Sequence, residues 1–113
     1  MSNKDKADVL QGTLDLMVLQ TLDTMGALHG YAIAARLEQI SSGALQLNMG
    51  TLYPALMRLE QRGLVKGSWG TTDSNRRARF YALTAAGRRQ LARERQAWDQ
   101  MAGIIQALLH GRA

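Results

Sequence analysis

Apolar positions recur at helical spacing in four stretches of this chain, with one alternating stretch before the last. Leu14, Met17, Val18, Leu22 and Met25 fall on one stripe, and Leu16 and Leu19 lie on a second side. A helix apolar on more than one side is usually buried on more than one side. The second side therefore calls for a cover that a small domain does not supply, and a second copy of the chain is the simplest one. Thr13, after Gly12, is the candidate N-cap of this helix, and the polar residues 1–9 are expected to fray. Gly26 and the short segment to His29 and Gly30 break the pattern. A second helix follows, with Ile33, Ala34 and Leu37 apolar, and stops at Ser41, Ser42 and Gly43.

The third pattern organises the rest. Within residues 48–64, Leu52, Leu56 and Leu59 recur at i, i+4 and i+7, which gives a helix with one buried stripe. Pro54 lacks a backbone N–H and belongs near a helix start, so the helix is expected to begin between Asn48 and Thr51. Gly63 is a natural stop, with Arg62 placed against the C-terminal partial charge. The other face carries Thr51, Tyr53, Met57, Arg58 and Gln61, which can contact bases, phosphates or sugars. Tyr53 also has a plainer reading, as an aromatic lying along the helix flank and partly in the core. Joined by the turn at 44–47, the second and third helices form a helix-turn-helix.

Residues 64–69 and 79–83 then read as two short strands, with Val65, Trp69, Phe80 and Tyr81 supplying β-branched and aromatic side chains. Between them, residues 70–78 make a loop longer than most hairpin loops, ending in Arg76 and Arg77 just before Arg79. Loops of that length tend to be functional or mobile. A helix-turn-helix followed by a hairpin with a basic tip is a winged-helix arrangement.

Thr84 is the expected cap of a last helix running to Leu109, roughly 38 Å at 1.5 Å per residue. Its first half carries Arg88, Arg89, Arg93 and Arg95; its second carries Trp98, Met101, Ala102, Ile104, Ile105, Leu108 and Leu109. Leu91, Trp98 and Ile105 stand seven apart, with Met101 and Leu108 between the repeats, a short heptad-like seam. Left open on a monomer, such a stripe invites aggregation, so it is expected to be a dimer interface; the alternative is a helix folded back on its own domain. The expected fold is mainly α with a small β-hairpin: a winged helix-turn-helix DNA-binding domain over residues 1–83 and a long C-terminal dimerisation helix over residues 84–113.

Charge sharpens this picture. The 113 residues carry 14 Lys and Arg against 9 Asp and Glu, a formal net charge of +5. Ten of those bases, with only three acids, fall between Arg58 and Arg95. Such a cluster suits nucleic acid or an anionic membrane surface, although a solvated basic face is the bland alternative. The absence of cysteine excludes disulfides and thiolate chemistry and agrees with a cytoplasmic location. No apolar run reaches signal-peptide or membrane-spanning length. His29 and His110 are the only histidines, so a metal site lacks ligands, and His29 is expected to be a helix-start residue. No nucleotide-binding glycine motif and no nucleophile motif occurs. Asp15, Asp23, Glu38, Glu60, Glu94 and Asp99 form no acid–base pair by spacing. An enzyme is the poor fit, and no cofactor is implied.

The run Met-Gly-Thr-Leu-Tyr-Pro-Ala-Leu-Met-Arg-Leu-Glu-Gln-Arg-Gly-Leu-Val at residues 49–65 closely resembles the recognition-helix motif of PadR-type transcriptional regulators. His29, Gly30 and Tyr31 resemble the start of that family's second helix, and Gly12, Thr13 and Leu14 its first. Residues 76–87, Arg-Arg-Ala-Arg-Phe-Tyr-Ala-Leu-Thr-Ala-Ala-Gly, resemble its second wing strand and the start of its last helix. The resemblance runs from about Leu10 to Leu91, and the Gly-Thr-Leu-Tyr-Pro-Ala-Leu core is highly specific. The length resembles the short subfamily, which has a single C-terminal dimerisation helix.

The resemblance implies a cytoplasmic, dimeric regulator, usually a repressor, on a pseudo-palindromic double-stranded operator. Helix three enters the major groove, the wing approaches the flanking minor groove or backbone, and the last helices set the spacing of the halves. The expected DNA-contacting residues are Tyr31, Asn48, Gly50, Thr51, Tyr53 and Arg58 on the helices, and Lys66, Arg76, Arg77 and Arg79 on the hairpin. The expected homodimer interface is Leu16, Leu19, Leu91, Trp98, Met101, Ile105 and Leu108. Some relatives release DNA when a small aromatic compound binds, and others respond to no known ligand. Trp98 and Met101 are the residues that would meet such an effector; simple packing of Trp98 against its mate is the alternative. A winged-helix protein-interaction module without operator binding is the second functional reading, and it predicts an apolar or acidic outward face on helix three.

Overall fold

The computed structural model describes residues 3–111, with side chains from residue 12 onward. The chain runs α1 (Asn3–Met25), β1 (Leu28–His29), α2 (Gly30–Ile40), α3 (Met49–Gln61), β2 (Val65–Thr71), β3 (Arg77–Leu83) and α4 (Ala85–Leu109). It is a winged helix-turn-helix: mainly helical, with one small antiparallel sheet in the order β1-β3-β2. No helix of the described residues is long and apolar enough to cross a membrane.

The cap and stop residues act as their chemistry suggests. His29 Nδ1 accepts the Ala32 N–H at 3.3 Å and so caps α2, and Asn48 Oδ1 accepts the Thr51 N–H at 2.9 Å and caps α3. At the other end of α3 the Leu64 N–H reaches back to the Leu59 carbonyl at 2.9 Å and the Gly63 N–H to Glu60 at 3.0 Å. This closing motif needs a left-handed residue, and Gly63 supplies φ 73°.

The core is one cluster. Leu14, Val18, Leu19 and Leu22 of α1 meet Ile33 and Leu37 of α2, and Leu52, Ala55, Leu56 and Leu59 of α3. Leu64, Val65, Tyr81 and Leu91 complete it from the hairpin and α4. Two expected dimer residues are therefore corrected. Leu19 is 0% exposed and Leu91 2% exposed within a single chain. Leu19, on the second side of α1, is thus covered within the chain, whereas Leu16 beside it is half-buried and lines an open groove.

Three local expectations also change. α1 begins at Asn3, well before the expected cap at Thr13, and Met1 and Ser2 lie outside the described residues. Gly12 sits inside that helix in open space, where it costs about 1 kcal/mol relative to alanine without ending the helix. β1 is an additional strand, pairing Leu28 with Tyr81 and His29 with Phe80 along the free edge of β3. β2 and β3 extend further toward the tip than residues 64–69 and 79–83, in register from Val65↔Leu83 to Thr71↔Arg77. The loop shrinks to residues 72–76. It is closed by Thr72 N–H to the Arg76 carbonyl at 2.8 Å, Asn75 N–H to the Thr72 carbonyl at 2.9 Å, and Arg76 N–H to Thr72 Oγ1 at 3.1 Å.

α4 is fastened where it starts. The Thr84 N–H donates to the Leu64 carbonyl at 3.1 Å, its hydroxyl donates to the Gly63 carbonyl at 2.6 Å, and its Oγ1 accepts the Gly87 N–H at 3.0 Å. A Cβ on Gly87 would overlap the Leu64 carbonyl oxygen, so only glycine allows this approach. Past Leu91 the helix leaves the core. Trp98, Met101, Ile104, Ile105, Leu108 and Leu109 are all between 46% and 75% exposed.

Candidate nucleic-acid interface

Burying one face of α3 dictates what the other presents. With Leu52, Ala55, Leu56 and Leu59 fully enclosed, the opposite stripe runs Gly50, Pro54, Met57 and Gln61, at i, i+4, i+7 and i+11, and all four are exposed. Tyr53 flanks this stripe at 40% exposure. Its ring leans toward the start of α2: a Cβ on Gly30 would lie 2.8 Å from Met49 Cε and 3.3 Å from the Tyr53 ring and hydroxyl. Gly30 thus lets the N-termini of α2 and α3 approach each other. Tyr31, in the first turn of α2, is exposed beside them. Tyr31, Asn48, Gly50 and Tyr53 form one surface around two helix N-termini, an arrangement suited to phosphate. Asn48 spends its Oδ1 on the cap, and Thr51 is half-buried on the far flank.

The wing divides its basic residues into two kinds. Arg76 and Arg77 are exposed at the tip, and the Arg77 guanidinium lies 5.0 Å from the centroid of the exposed Trp69 ring. Arg79 turns inward instead. Its Nη2 donates to Glu60 Oε2 at 2.6 Å, and it crosses the sheet over Gly67, where any Cβ would overlap the guanidinium. The Glu60 carboxylate holds the Arg79 guanidinium above its ordinary pKa. Burial pushes the phenol of the adjacent Tyr81 up, against an opposing pull from Arg79. Lys66, next to the inward-pointing Val65, is exposed on the other face of the hairpin.

Arg58, expected on the DNA-facing side, is directed across to α1, where its Nη2 donates to Asp15 Oδ1 at 3.0 Å. Arg58 and Arg79 are thus held within the domain, while Arg76, Arg77 and Lys66 are free to reach outward. Trp69, Asp15 and Glu60 were not among the sequence-derived site residues. Strand alternation carries the signal for Trp69, since it shares a face with Arg77 and Arg79. The ion-pair partners have no comparable signal.

A groove of about 430 Å³ opens between α1, α2 and α4, lined largely by apolar atoms of Leu16, Met17, Leu37, Ile40 and Trp98. Met101 lies outside this lining, on the exposed part of α4. Among the described residues no group of three His, Cys, Asp or Glu side chains could hold a metal ion.

Residues 18–93 match the transcriptional regulator PadR-like family. The chain belongs to that family. Among curated proteins, this PadR-like chain is 42% identical over 80 residues to an uncharacterized 37.1 kDa protein in transposon TN4556 of Streptomyces fradiae, covering 71% of this chain and 21% of that protein. It is 37% identical over 65 residues to the transcriptional regulator Rv3488 of Mycobacterium tuberculosis, covering 58% of this chain and 60% of the relative. It therefore spans less than two thirds of either relative. Among solved structures, a transcriptional regulator from Clostridium thermocellum matches at TM-score 0.77 and 25% identity, over 94% of this chain and 95% of the other. A PadR family regulator from Eggerthella lenta matches at TM-score 0.74 and 28% identity, over 90% and 86%. A PadR-like regulator from Bacillus cereus, at TM-score 0.78 and 22% identity over 90% and 96%, has the same fold. The matched family is one of transcriptional regulators.

Proposed function

We propose that this PadR-like chain is a homodimeric, sequence-specific repressor that binds double-stranded operator DNA in the cytoplasm. The observation that carries the reading is the outward stripe of α3, set between the paired helix N-termini and an arginine-tipped wing. In this reading α3 enters the major groove, Tyr31 and Tyr53 flank it, and Arg76, Arg77 and Lys66 grip the backbone beside it. Phosphate contacts position the protein, and base-edge contacts select the sequence. Residues 1–83 supply the DNA-binding part and residues 84–113 the dimerisation helix, with Gly87 and Leu91 of that helix built into the first part. The exposed Trp98, Met101, Ile105 and Leu108 face a second copy, and Leu16 borders the groove beside them. A small aromatic effector stacked on Trp98 would alter how the two copies meet, and so loosen the grip on the operator.

The second reading, a winged-helix protein-interaction module, is favoured by one observation: Pro54 and Met57 make the centre of the α3 stripe apolar. Arg76 and Arg77 weigh against it, because among the described residues neither is in an ion pair. The test is fluorescence anisotropy with the DNA upstream of the chain's own gene, at two salt concentrations, alongside sedimentation of the free protein. Salt-sensitive, sequence-selective binding by a dimer is expected. Binding that ignores sequence, or a monomer that leaves DNA alone, would sink the operator reading.

A further inference from the structure

The outward stripe of α3 is defined by what it lacks. Gly50 has no side chain, Pro54 and Met57 are apolar, and only Gln61, in the last turn, can hydrogen-bond. Major-groove base edges offer hydrogen-bonding groups on every pair, but an apolar feature only on thymine, whose C5 methyl projects into the groove. Arginine is the usual partner of guanine there. Arg58 is tied to Asp15, and Arg62 lies beyond the last full turn, as the C-cap. Met57 stands mid-stripe at 58% exposure, one turn from Pro54, on a helix whose other large apolar positions are mostly enclosed. An unbranched thioether adapts its shape to an apolar surface.

We infer that Met57, with Pro54 beside it, is a specificity-determining residue that reads the C5 methyl group of thymine in the operator. The inference rests on the operator-binding reading above and adds to it the base feature that α3 selects. The contact excludes water from one methyl group and one side-chain end, which is worth about a fourfold change in affinity. A protein partner would suit the same apolar crest, but the basic residues around it, Arg76 and Arg77 on the wing and Lys66 behind, match a phosphate backbone.

The experiment starts from duplexes that the wild-type chain enriches from a random-sequence pool. Each thymine of the enriched operator is then replaced in turn by deoxyuridine, which keeps the base pairing and removes only the methyl group. Wild-type protein is expected to bind about fourfold more weakly when one particular thymine in each half-site is replaced. Met57→Ala should bind the thymine and uracil duplexes equally, while Met57→Leu keeps the discrimination. Both variants should retain the wild-type circular dichroism spectrum, since the side chain is exposed. Indifference of the wild type to every replacement, or discrimination retained in full by Met57→Ala, overturns the inference and leaves operator binding standing. Failure to enrich any sequence overturns both, and an α3-dependent protein complex found in its place would identify the stripe as a protein-docking face.

Discussion

Arg58 and Asp15, 43 positions apart in the chain, are joined by a hydrogen-bonded ion pair of 3.0 Å that ties α3 to α1. Its side chains are 37% and 15% exposed, so solvent screening keeps the contribution to roughly 0.5–1 kcal/mol. Arg58→Ala and Asp15→Ala should each lower stability by about that amount, and the double variant should fall short of their sum in a urea-unfolding cycle. Operator affinity should stay unchanged in Arg58→Ala once folding is accounted for. A large loss of affinity without loss of stability would return Arg58 to the DNA surface.

Gly87→Ala should be far more damaging than its size suggests. The new methyl meets the Leu64 backbone carbonyl, which cannot rotate away. The expected cost is about 3 kcal/mol, the upper end for overpacking. Guanidinium unfolding measures it, and a change under 0.5 kcal/mol would mean that the start of α4 shifts freely.

On the wing, Arg76→Ala combined with Arg77→Ala should reduce the slope of log affinity against log salt by about 1.8, two phosphate contacts at roughly 0.9 each. Arg79→Ala should leave that slope alone and instead loosen the hairpin by releasing Glu60. An unchanged slope in the double variant would show that the tip does not touch DNA.

Trp98→Ala should weaken self-association about thirtyfold, the size of an interface hot spot, as read by sedimentation. Trp69→Phe leaves Trp98 as the single fluorophore for titration with flat aromatic compounds. Quenching that depends on an intact Leu16 side of the groove supports an effector there. If no compound in a broad panel quenches, Trp98 is packing alone.

Alkaline stability should report on Tyr81. Burial raises its phenol above the ordinary 10.0 in the folded chain. The folded-state value therefore exceeds the unfolded one, so the associated stability is complete below about pH 10 and is lost as pH rises through the folded value. Urea unfolding between pH 9 and 11 should show a steeper fall for wild type than for Tyr81→Phe. Equal slopes would place the phenol in water.

Helices α2, α3 and α4 were legible because each carries its own local start and stop signals, His29, Asn48, Thr84 and Gly63 among them. The start of α1 was not, because Gly12 before Thr13 looks like a boundary and only the open space around it shows that glycine is tolerated there. β1 has two residues and so no alternation to read. Gly67 and Gly70 resemble turn residues, yet a Cβ on Gly67 would overlap the Arg79 guanidinium, and a Cβ on Gly70 would lie 2.9 Å from the Phe80 ring. Periodicity marked Leu19 and Leu91 as apolar faces needing cover, but it cannot tell the chain's own elements from a second copy. For the site, the leucines marked the inward side of α3, but of Thr51, Tyr53, Met57, Arg58 and Gln61 expected on the opposite face only Tyr53, Met57 and Gln61 are exposed. The inward turn of Arg58 and Arg79 depended on carboxylates far away in sequence.

The two peptide carbonyls at Gly63 and Leu64 belong at once to the end of α3 and the start of α4. Under the operator reading proposed above, those helices would act as one lever, its short arm in the DNA groove and its long arm about 38 Å of α4. A tilt of about 10° at the fastening sweeps the far end by roughly 7 Å, two base-pair steps of 3.4 Å. Whatever angle two such rods adopt when they meet would fix, to within a base pair or so, how far apart their reading heads stand.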